Sequence, residues 1–194
     1  MKIALTKDSA LIIVDVQNDF LPGGALPVPN GDKVIEPLNK YIKVFMEKNL
    51  PIIATRDWHP ENHISFNTRG GPWPPHCIRN TRGAMFPDKL KLPDDVIVIS
   101  KAFREDEEAY SGFQGTNLSG ILRNIGVKRL FVGGLATDYC VKATVLDAIK
   151  YGFIVFLLLD AIQGVDVNPG DSEKAILEMI NNGAIGIEFT DLLV

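Results

Sequence analysis

The stretch of sequence that decides the predicted fold is RLFVGGLATDYCVKATVLDAIK, residues 129–150. It begins with an apolar run, passes through two glycines and continues with apolar residues at helical spacing. A continuous apolar run is typical of a parallel strand that is covered on both faces, and the later spacing is typical of a helix with one buried side. The stretch therefore predicts a buried strand, a tight turn and a helix.

The same alternation extends outward along the chain. Strand-like runs occupy residues 10–15, 51–55, 96–100 and 153–160, and a short last strand is expected near residues 184–189. Helical stripes lie at residues 34–48 and 172–180. Strands that alternate with helices form an open sheet with right-handed crossovers. We therefore predict an α/β fold, a Rossmann-like open parallel sheet flanked by helices on both faces, in a single domain over residues 1–194.

Composition and charge exclude several classes of protein. Hydrophobic residues make up 46% and charged residues 23% of the 194 residues, as in a soluble globular domain. The net charge of −4 argues against a nucleic-acid partner. The N-terminal residues lack the apolar core of a signal peptide, and no stretch approaches a membrane span. Two cysteines indicate chemistry rather than a disulfide scaffold. We expect a cytoplasmic protein.

Reactive side chains follow the predicted strands at the point where each strand ends. They are Asp15 after the first run, Asp57 and His59 after the second, Lys101 after the third and Cys140 after the glycine turn. Ligands of open α/β sheets bind beyond the carboxyl ends of the strands. We therefore expect these five residues to gather in one crevice.

Three of these residues form a complete set for acyl transfer. Cys140 opens a helix, whose N-terminus favours the thiolate, although a buried, inert cysteine is the simpler interpretation of a single Cys. Two interpretations are open for each of the other two residues. Asp15 either carries the proton of the Cys140 thiol or only forms a turn. Lys101 either stabilises the anions of Asp15 and Cys140 or is only a solvated strand end. Together they predict a nucleophile, a proton carrier and an electrostatic partner.

The stretch RDWHPENHISF, residues 56–66, indicates a metal site. All three histidines of the chain, His59, His63 and His76, lie within eighteen positions beside Asp57. One carboxylate with two imidazoles is a common open site for a divalent transition metal. Cys77 is interpreted as a packing residue, because adjacent residues rarely bind one ion together.

Aromatic residues near these sites predict the walls of a pocket. Trp73 lies between prolines that stiffen its loop, and Phe20 follows Asp15 closely. Tyr110 is a further candidate for the lining. Ordinary loop packing is the alternative for each of them.

Six segments of the chain resemble the signature segments of the nicotinamidases, within the isochorismatase-like cysteine hydrolases. They are IIVDVQNDF, RDWHP, HISF, GGPWPPHC, SKAF and GGLATDYCVKATVLDA, in the order of that family and along nearly the whole chain. The resemblance implies the isochorismatase-like hydrolase fold. It also implies a catalytic triad of Asp15, Lys101 and Cys140.

The same resemblance implies a ligand set and an oxyanion hole. The implied metal ligands are Asp57, His59 and His76, with His63 or Ser65 left open as an additional contact. The implied oxyanion hole consists of the backbone N–H groups of Ala136 and Cys140, with a cis peptide bond between Leu135 and Ala136. Phe20 and Trp73 match the aromatic walls around a pyridine ring, and Tyr110 is kept as a further substrate contact.

The activity implied by the resemblance is the hydrolysis of nicotinamide to nicotinate and ammonia through a cysteine thioester, within NAD salvage. Pyrazinamide is expected as a second substrate, and one divalent ion as the cofactor, with zinc favoured over iron or manganese. The alternative is a related hydrolase of carbamoyl or ureide substrates, and a more distant one is a non-catalytic metal-binding module. A homodimer is also expected.

Overall fold

The centre of the molecule is a parallel sheet, seen in a computed structural model that describes residues 2–193. The described strands are β1 (Ile3–Ala4), β2 (Ser9–Val14), β3 (Ile52–Asp57), β4 (Ile97–Lys101), β5 (Arg129–Leu135), β6 (Ile154–Gln163), β7 (Ile185–Ile187) and β8 (Leu192–Leu193). Six of them form the central sheet in the order β4-β3-β2-β5-β6-β7, and β1 pairs separately with β8. All the pairings described are parallel.

Helices cover both faces of this sheet. They are α1 (Ile35–Glu47), α2 (Leu118–Asn124), α3 (Lys142–Lys150) and α4 (Asp171–Asn181). Side chains of β2 alternate between two apolar cores: Leu11 and Ile13 belong to the core with α1, and Ile12 and Val14 to the core with the other three helices. Burial of each such Leu or Ile contributes about 1.5–3 kcal/mol. The predicted α/β fold class is confirmed.

The structure differs from the sequence prediction in local detail. Helix α2 was not predicted, because its seven residues include a serine, a glycine and an asparagine that weaken the helical pattern. The helix predicted to open at Cys140 instead begins at Lys142, and a π-helical turn over Thr137–Val141 precedes it. Strand β6 extends three residues past the predicted end at Asp160.

The sheet reverses its order between β2 and β5, and this is the point where a crevice opens in such folds. Gly134 at the end of β5 has φ 123°, and any side chain there would collide with the backbone of Val14 in β2. Asp15 follows β2 with φ 49°, in the left-handed region that few non-glycine residues adopt. The two strand ends are therefore shaped around the crevice.

The long segment between β3 and β4 lies mostly outside regular structure. It contains short 3₁₀ turns at Asn67–Arg69 and Arg82–Ala84, and isolated bridges join His59 to Ile78 and Phe66 to Trp73. No helix within residues 2–193 is long and apolar enough to cross a membrane.

Candidate active site

Three predicted side chains meet at the carboxyl end of the sheet. The Nζ of Lys101 lies 2.9 Å from Oδ2 of Asp15 and 3.5 Å from Sγ of Cys140. Thr55 donates a hydrogen bond of 2.7 Å to Oδ1 of Asp15. The Oδ2 atom of Asp15 receives no well-angled hydrogen bond from any residue of 2–193, so its contact with Lys101 is an ion pair. That oxygen is free to accept a proton.

Burial is the largest influence on the pKa values of Cys140 and Asp15. It raises the pKa of the Cys140 thiol well above its usual range, although the ammonium of Lys101 opposes the shift. Burial also raises the pKa of Asp15, again against Lys101. Burial and the carboxylates of Asp15 and Asp57 therefore oppose the thiolate that the helix N-terminus was expected to favour. A raised pKa favours the protonated thiol, so attack by the sulfur needs a base, and the raised pKa of Asp15 makes its carboxylate a stronger one.

The carboxylate of Asp138 binds the loop that follows β6. Its two carboxylate oxygens accept hydrogen bonds of 2.9 Å from the N–H groups of Val165 and Asp166. It therefore fastens the loop after β6 instead of capping the helix that begins at Lys142. Val165, at the end of this link, lines the same cavity as Cys140.

Asp57 lies between Lys101 and the histidines. Its Oδ1 lies 2.5 Å from Nζ of Lys101, and its Oδ2 lies 3.6 Å from Nε2 of His59. Burial alone would raise the pKa of Asp57, but the ammonium of Lys101 and the imidazole of His59 hold it well below its usual range. Asp57 is therefore ionised, with Oδ1 facing Lys101 and Oδ2 facing His59.

The ligand atoms of Asp57, His59 and His76 lie within 4.8 Å of one another, and all three residues are buried. The Nδ1 atoms of His59 and His76 each lie beside a backbone carbonyl oxygen, of Ala102 at 3.1 Å and of Pro74 at 2.7 Å. An N–H at each Nδ1 leaves Nε2 free to bind a metal. Burial lowers the pKa of His76 and keeps it neutral. This donor set fits a divalent cation.

His63 and Ser65 pair with each other beside this cluster. Nδ1 of His63 lies 2.7 Å from Oγ of Ser65, and its Nε2 lies 3.0 Å from the carbonyl oxygen of Glu107. Both ring nitrogens therefore have partners, although the ring stands 4.1 Å from that of His59. Cys77 is buried in the apolar core with α1, as a packing residue is.

A cavity of about 490 Å³, its open mouth included, connects the two groups of residues. Cys140, Asp57 and His76 contribute to its wall. Its aromatic lining consists of Phe20, Trp73, Tyr110 and Tyr139. Predominantly apolar walls with a few convergent polar groups are typical of a small-molecule site.

Three of these aromatic lining residues, Trp73, Tyr110 and Tyr139, contact one another. Trp73 donates a hydrogen bond of 3.1 Å from Nε1 to the hydroxyl of Tyr110. Tyr139 stands edge-on to Trp73, with ring centroids 5.3 Å apart. These contacts pack three aromatic side chains of the lining against one another, and an aromatic lining suits an aromatic ligand.

The peptide bond between Leu135 and Ala136 is cis. Ala136 and Cys140 both line the cavity, beside the thiol. Their role as an oxyanion hole stays a prediction of the resemblance.

Sequence reasoning missed several residues of the site. Tyr139 precedes the nucleophile candidate directly, and that position was a signal for a wall residue. Thr55 lies opposite Val14 in the register of β2 and β3, which places it next to Asp15. Gln17 is fully buried and binds the backbone of Asp57. No spacing in the sequence pointed to that contact.

Residues 9–191 match the family model described as the isochorismatase domain. The nicotinamidase of Escherichia coli strain K12 is 39% identical over 196 residues, which cover 90% of this chain and 92% of that protein.

Two solved structures are similar over their whole length. The pyrazinamidase of Pyrococcus horikoshii in complex with zinc is 58% identical with a TM-score of 0.90, and the match covers 94% of this chain and 99% of that one. PnC1 from L. infantum in complex with nicotinate is 36% identical with a TM-score of 0.90, covering 100% of this chain and 99% of that one.

Proposed function

The chain belongs to the isochorismatase domain family, and we propose that within it the protein is a metal-dependent nicotinamidase that hydrolyses nicotinamide to nicotinate and ammonia. Similarity to nicotinamidases and to a nicotinate complex supports the substrate. Pyrazinamide is proposed as a second substrate, since a pyrazinamidase is 58% identical.

The observation that carries the proposal is the shared cavity. Cys140 lies on its wall together with Asp57 and His76, and aromatic side chains form its sides. A planar ring that carries an amide and a ring nitrogen matches this cavity. The aromatic side chains suit the ring, the thiol of Cys140 suits the amide, and the group of Asp57 and His76 suits the nitrogen. Positioning an amide over a nucleophile lowers the reaction barrier, by up to about 7–11 kcal/mol when the groups are fully oriented.

Asp57, His59 and His76 are proposed to hold the cation. A cation held there would act as a Lewis acid toward the pyridine nitrogen of the substrate. Zinc is proposed as the ion, because the ligand set of one carboxylate and two imidazoles suits it and the Pyrococcus horikoshii pyrazinamidase was crystallised with zinc.

The covalent steps are assigned to the side chains around Cys140. Asp15 takes the proton from Sγ, and the sulfur attacks the amide carbon. The C–N bond breaks, and ammonia leaves with the proton that Asp15 returns. Water then attacks the thioester carbon while Asp15 removes its proton. The C–S bond breaks, Asp15 returns this proton to the sulfur, and the acid leaves as nicotinate after losing its own proton to solvent. Lys101 offsets the negative charge of Asp15 in the steps in which the carboxylate is ionised, because its ammonium lies 2.9 Å from Oδ2.

The developing oxyanion needs donors in place before the reaction. The backbone N–H groups of Ala136 and Cys140 are proposed for this role, since both residues line the cavity at the thiol. One such donor contributes about 2.7–4 kcal/mol to the lowering of the barrier in acyl transfer.

Hydrolysis of carbamoyl or ureide substrates is the second candidate activity. It needs Asp15, Lys101 and Cys140 but gives no reason for the buried cluster of Asp57, His59 and His76. The apolar, aromatic lining of the cavity also favours an aromatic ring over a polar ureide. Nicotinamide is therefore the preferred substrate.

The test is release of ammonia from nicotinamide by the full chain, before and after treatment with a chelator. We expect release to fall after chelation and to return when zinc is added, with Cys140→Ala inactive throughout. Ammonia release that ignores chelation contradicts the metal part of the proposal. Release from a ureide but not from nicotinamide replaces the proposal with the second candidate.

Other expectations from the sequence stay predictions. They are the homodimer, the cytoplasmic location, the role in NAD salvage and the single domain over residues 1–194.

A further inference from the structure

The segment after β2 contacts both chain segments that carry the candidate metal ligands. We propose that Gln17 and Asp19 are positioning residues that hold these two segments together and so set the affinity for the cation. The inference rests on the proposed function, because it takes Asp57, His59 and His76 as the ligands.

Gln17 brackets the backbone of Asp57. Its Nε2 donates to the carbonyl oxygens of Asp57 at 2.8 Å and of Ala84 at 2.9 Å, and its Oε1 accepts from the N–H of Asp57 at 2.8 Å. The side chain is fully buried, so each bond lost would leave a buried polar group unpaired. Both N–H groups of the amide and its oxygen are used.

Asp19 holds the other segment. Its Oδ2 accepts a hydrogen bond of 2.7 Å from the N–H of Cys77, the residue that follows His76. Its Oδ1 accepts from the N–H of Ala25 at 3.2 Å. Cys77 has φ 47°, so the loop bends sharply at the point that Asp19 holds.

The two held segments also bind each other. The N–H of His59 donates to the carbonyl oxygen of Cys77 at 3.0 Å. A closed set of contacts therefore runs from Gln17 to the Asp57–His59 segment, across to the His76–Cys77 segment and back to Asp19. His76 lies in a loop without regular structure, so these contacts contribute to fixing its distance from Asp57.

Outer residues that orient metal ligands typically contribute about 10–100-fold to metal affinity. Gln17 and Asp19 reach no ligand atom in these contacts, and they act through the backbone of the ligand residues or their neighbours. Their loss is therefore expected to weaken zinc binding without removing a ligand.

The experiment measures the zinc Kd of the full chain by competition with a fluorescent chelator, with thermal unfolding recorded by circular dichroism. The variants are Gln17→Met, Gln17→Glu and Asp19→Ala. Asn39→Leu is the control, because the partly exposed Asn39 side chain also brackets a backbone, but one that carries no candidate ligand. It donates to the carbonyl oxygen of Lys89 at 2.9 Å and accepts from the N–H of Lys91 at 2.8 Å.

We expect each folded variant at Gln17 and Asp19 to bind zinc about 10–100-fold more weakly than the wild type. Gln17→Glu is expected to weaken binding most at neutral pH, because its carboxylate would face two carbonyl oxygens. Asn39→Leu is expected to lower the melting temperature but to leave the zinc Kd within about twofold, since it loses hydrogen bonds far from the ligands.

The inference is overturned if the folded Gln17 variants bind zinc as the wild type does, or if Asn39→Leu loses as much affinity as they do. Should the Gln17 variants not fold, Asp19→Ala decides in the same way, because the partly exposed Asp19 side chain supports less of the core. A wild-type chain that binds no zinc overturns the proposed function itself, which separates the two failures.

Discussion

The Nζ of Lys101 lies 2.5 Å from Oδ1 of Asp57, a residue of the candidate metal cluster, and 2.9 Å from Oδ2 of Asp15. One fully buried ammonium therefore joins the acyl-transfer group to the metal-ligand group. Burial alone would lower the pKa of Lys101, but the carboxylates of Asp15 and Asp57 raise it well above its usual range. The single positive charge of Lys101 therefore acts on both groups of residues.

Replacement of Lys101 by Met leaves two carboxylates buried without their counter-ion. We expect Lys101→Met to lower the free energy of unfolding by about 3–5 kcal/mol and turnover by about 10²–10³-fold, measured by urea unfolding and ammonia release. Lys142→Met, which removes a partly exposed ion pair with Glu178, is the control and is expected to cost about 0–1 kcal/mol. Equal losses in both variants would contradict the role given to Lys101.

Replacement of Cys140 removes the nucleophile without removing the pocket. We expect Cys140→Ala to lower kcat by at least about 10³-fold, while nicotinate still binds in a calorimetric titration. Cys77→Ser is the matched control, since Cys77 is also buried but lies in the core. It is expected to lose stability and to keep its kcat. A Cys140→Ala protein that turns over nicotinamide normally would exclude the thioester route.

The ring nitrogen is expected to determine which amides react. Benzamide has the shape of nicotinamide but no atom to approach the group of Asp57, His59 and His76. We expect its kcat/KM to fall by about 10²-fold, the effect of a misplaced reacting group, and pyrazinamide to stay within tenfold of nicotinamide, which is roughly 1.4 kcal/mol. Rates of ammonia release from the three amides test this, and equal rates with benzamide would remove the reason for a metal.

Tyr110 is expected to act on binding more than on the covalent steps, because its hydroxyl accepts the hydrogen bond from Nε1 of Trp73. Tyr110→Phe removes that acceptor and loosens one wall of the cavity. We expect KM for nicotinamide to rise about 2–10-fold, as for one hydrogen bond, with kcat little changed. Tyr151→Phe, at an exposed position, serves as the control. A fall in kcat with an unchanged KM would assign Tyr110 a role in the reaction instead.

Tyr41 is expected to stabilise the fold, because it lies in the apolar core and not in the cavity lining. Its buried hydroxyl donates a hydrogen bond of 2.8 Å to Asp160, and Tyr41→Phe is expected to cost about 1.5–3 kcal/mol at pH 7. Burial, and then the bond to Asp160, raise the pKa of Tyr41 above that of the unfolded chain.

The raised pKa fixes the sign of a pH effect. The neutral phenol is favoured in the folded state, so its stabilisation is full below the unfolded pKa of about 10 and is lost as the pH rises further. Urea unfolding at pH 7 and above pH 10 should therefore show a smaller difference between wild type and Tyr41→Phe at high pH. A constant difference would contradict this account.

Much of the fold and of the candidate site was predictable from local pattern. The continuous apolar runs predicted the strands of the parallel sheet, since burial on both faces leaves no polar positions. The rule that ligands bind beyond the strand ends predicted that Asp15, Lys101 and Cys140 would meet, and the structure brings them together. A short helix such as α2 was missed, because seven residues contain too few periods for a pattern.

The sequence by itself determined the fold class and the chemical types at the strand ends, because both depend on residues that are close along the chain. Only the tertiary structure decided how those residues are connected. Lys101 reaches both Asp15 and Asp57, Gln17 brackets the backbone of Asp57, and burial raises the pKa of the Cys140 thiol. Each of these depends on distances across the sheet and on the exclusion of water, which local spacing in a chain does not specify.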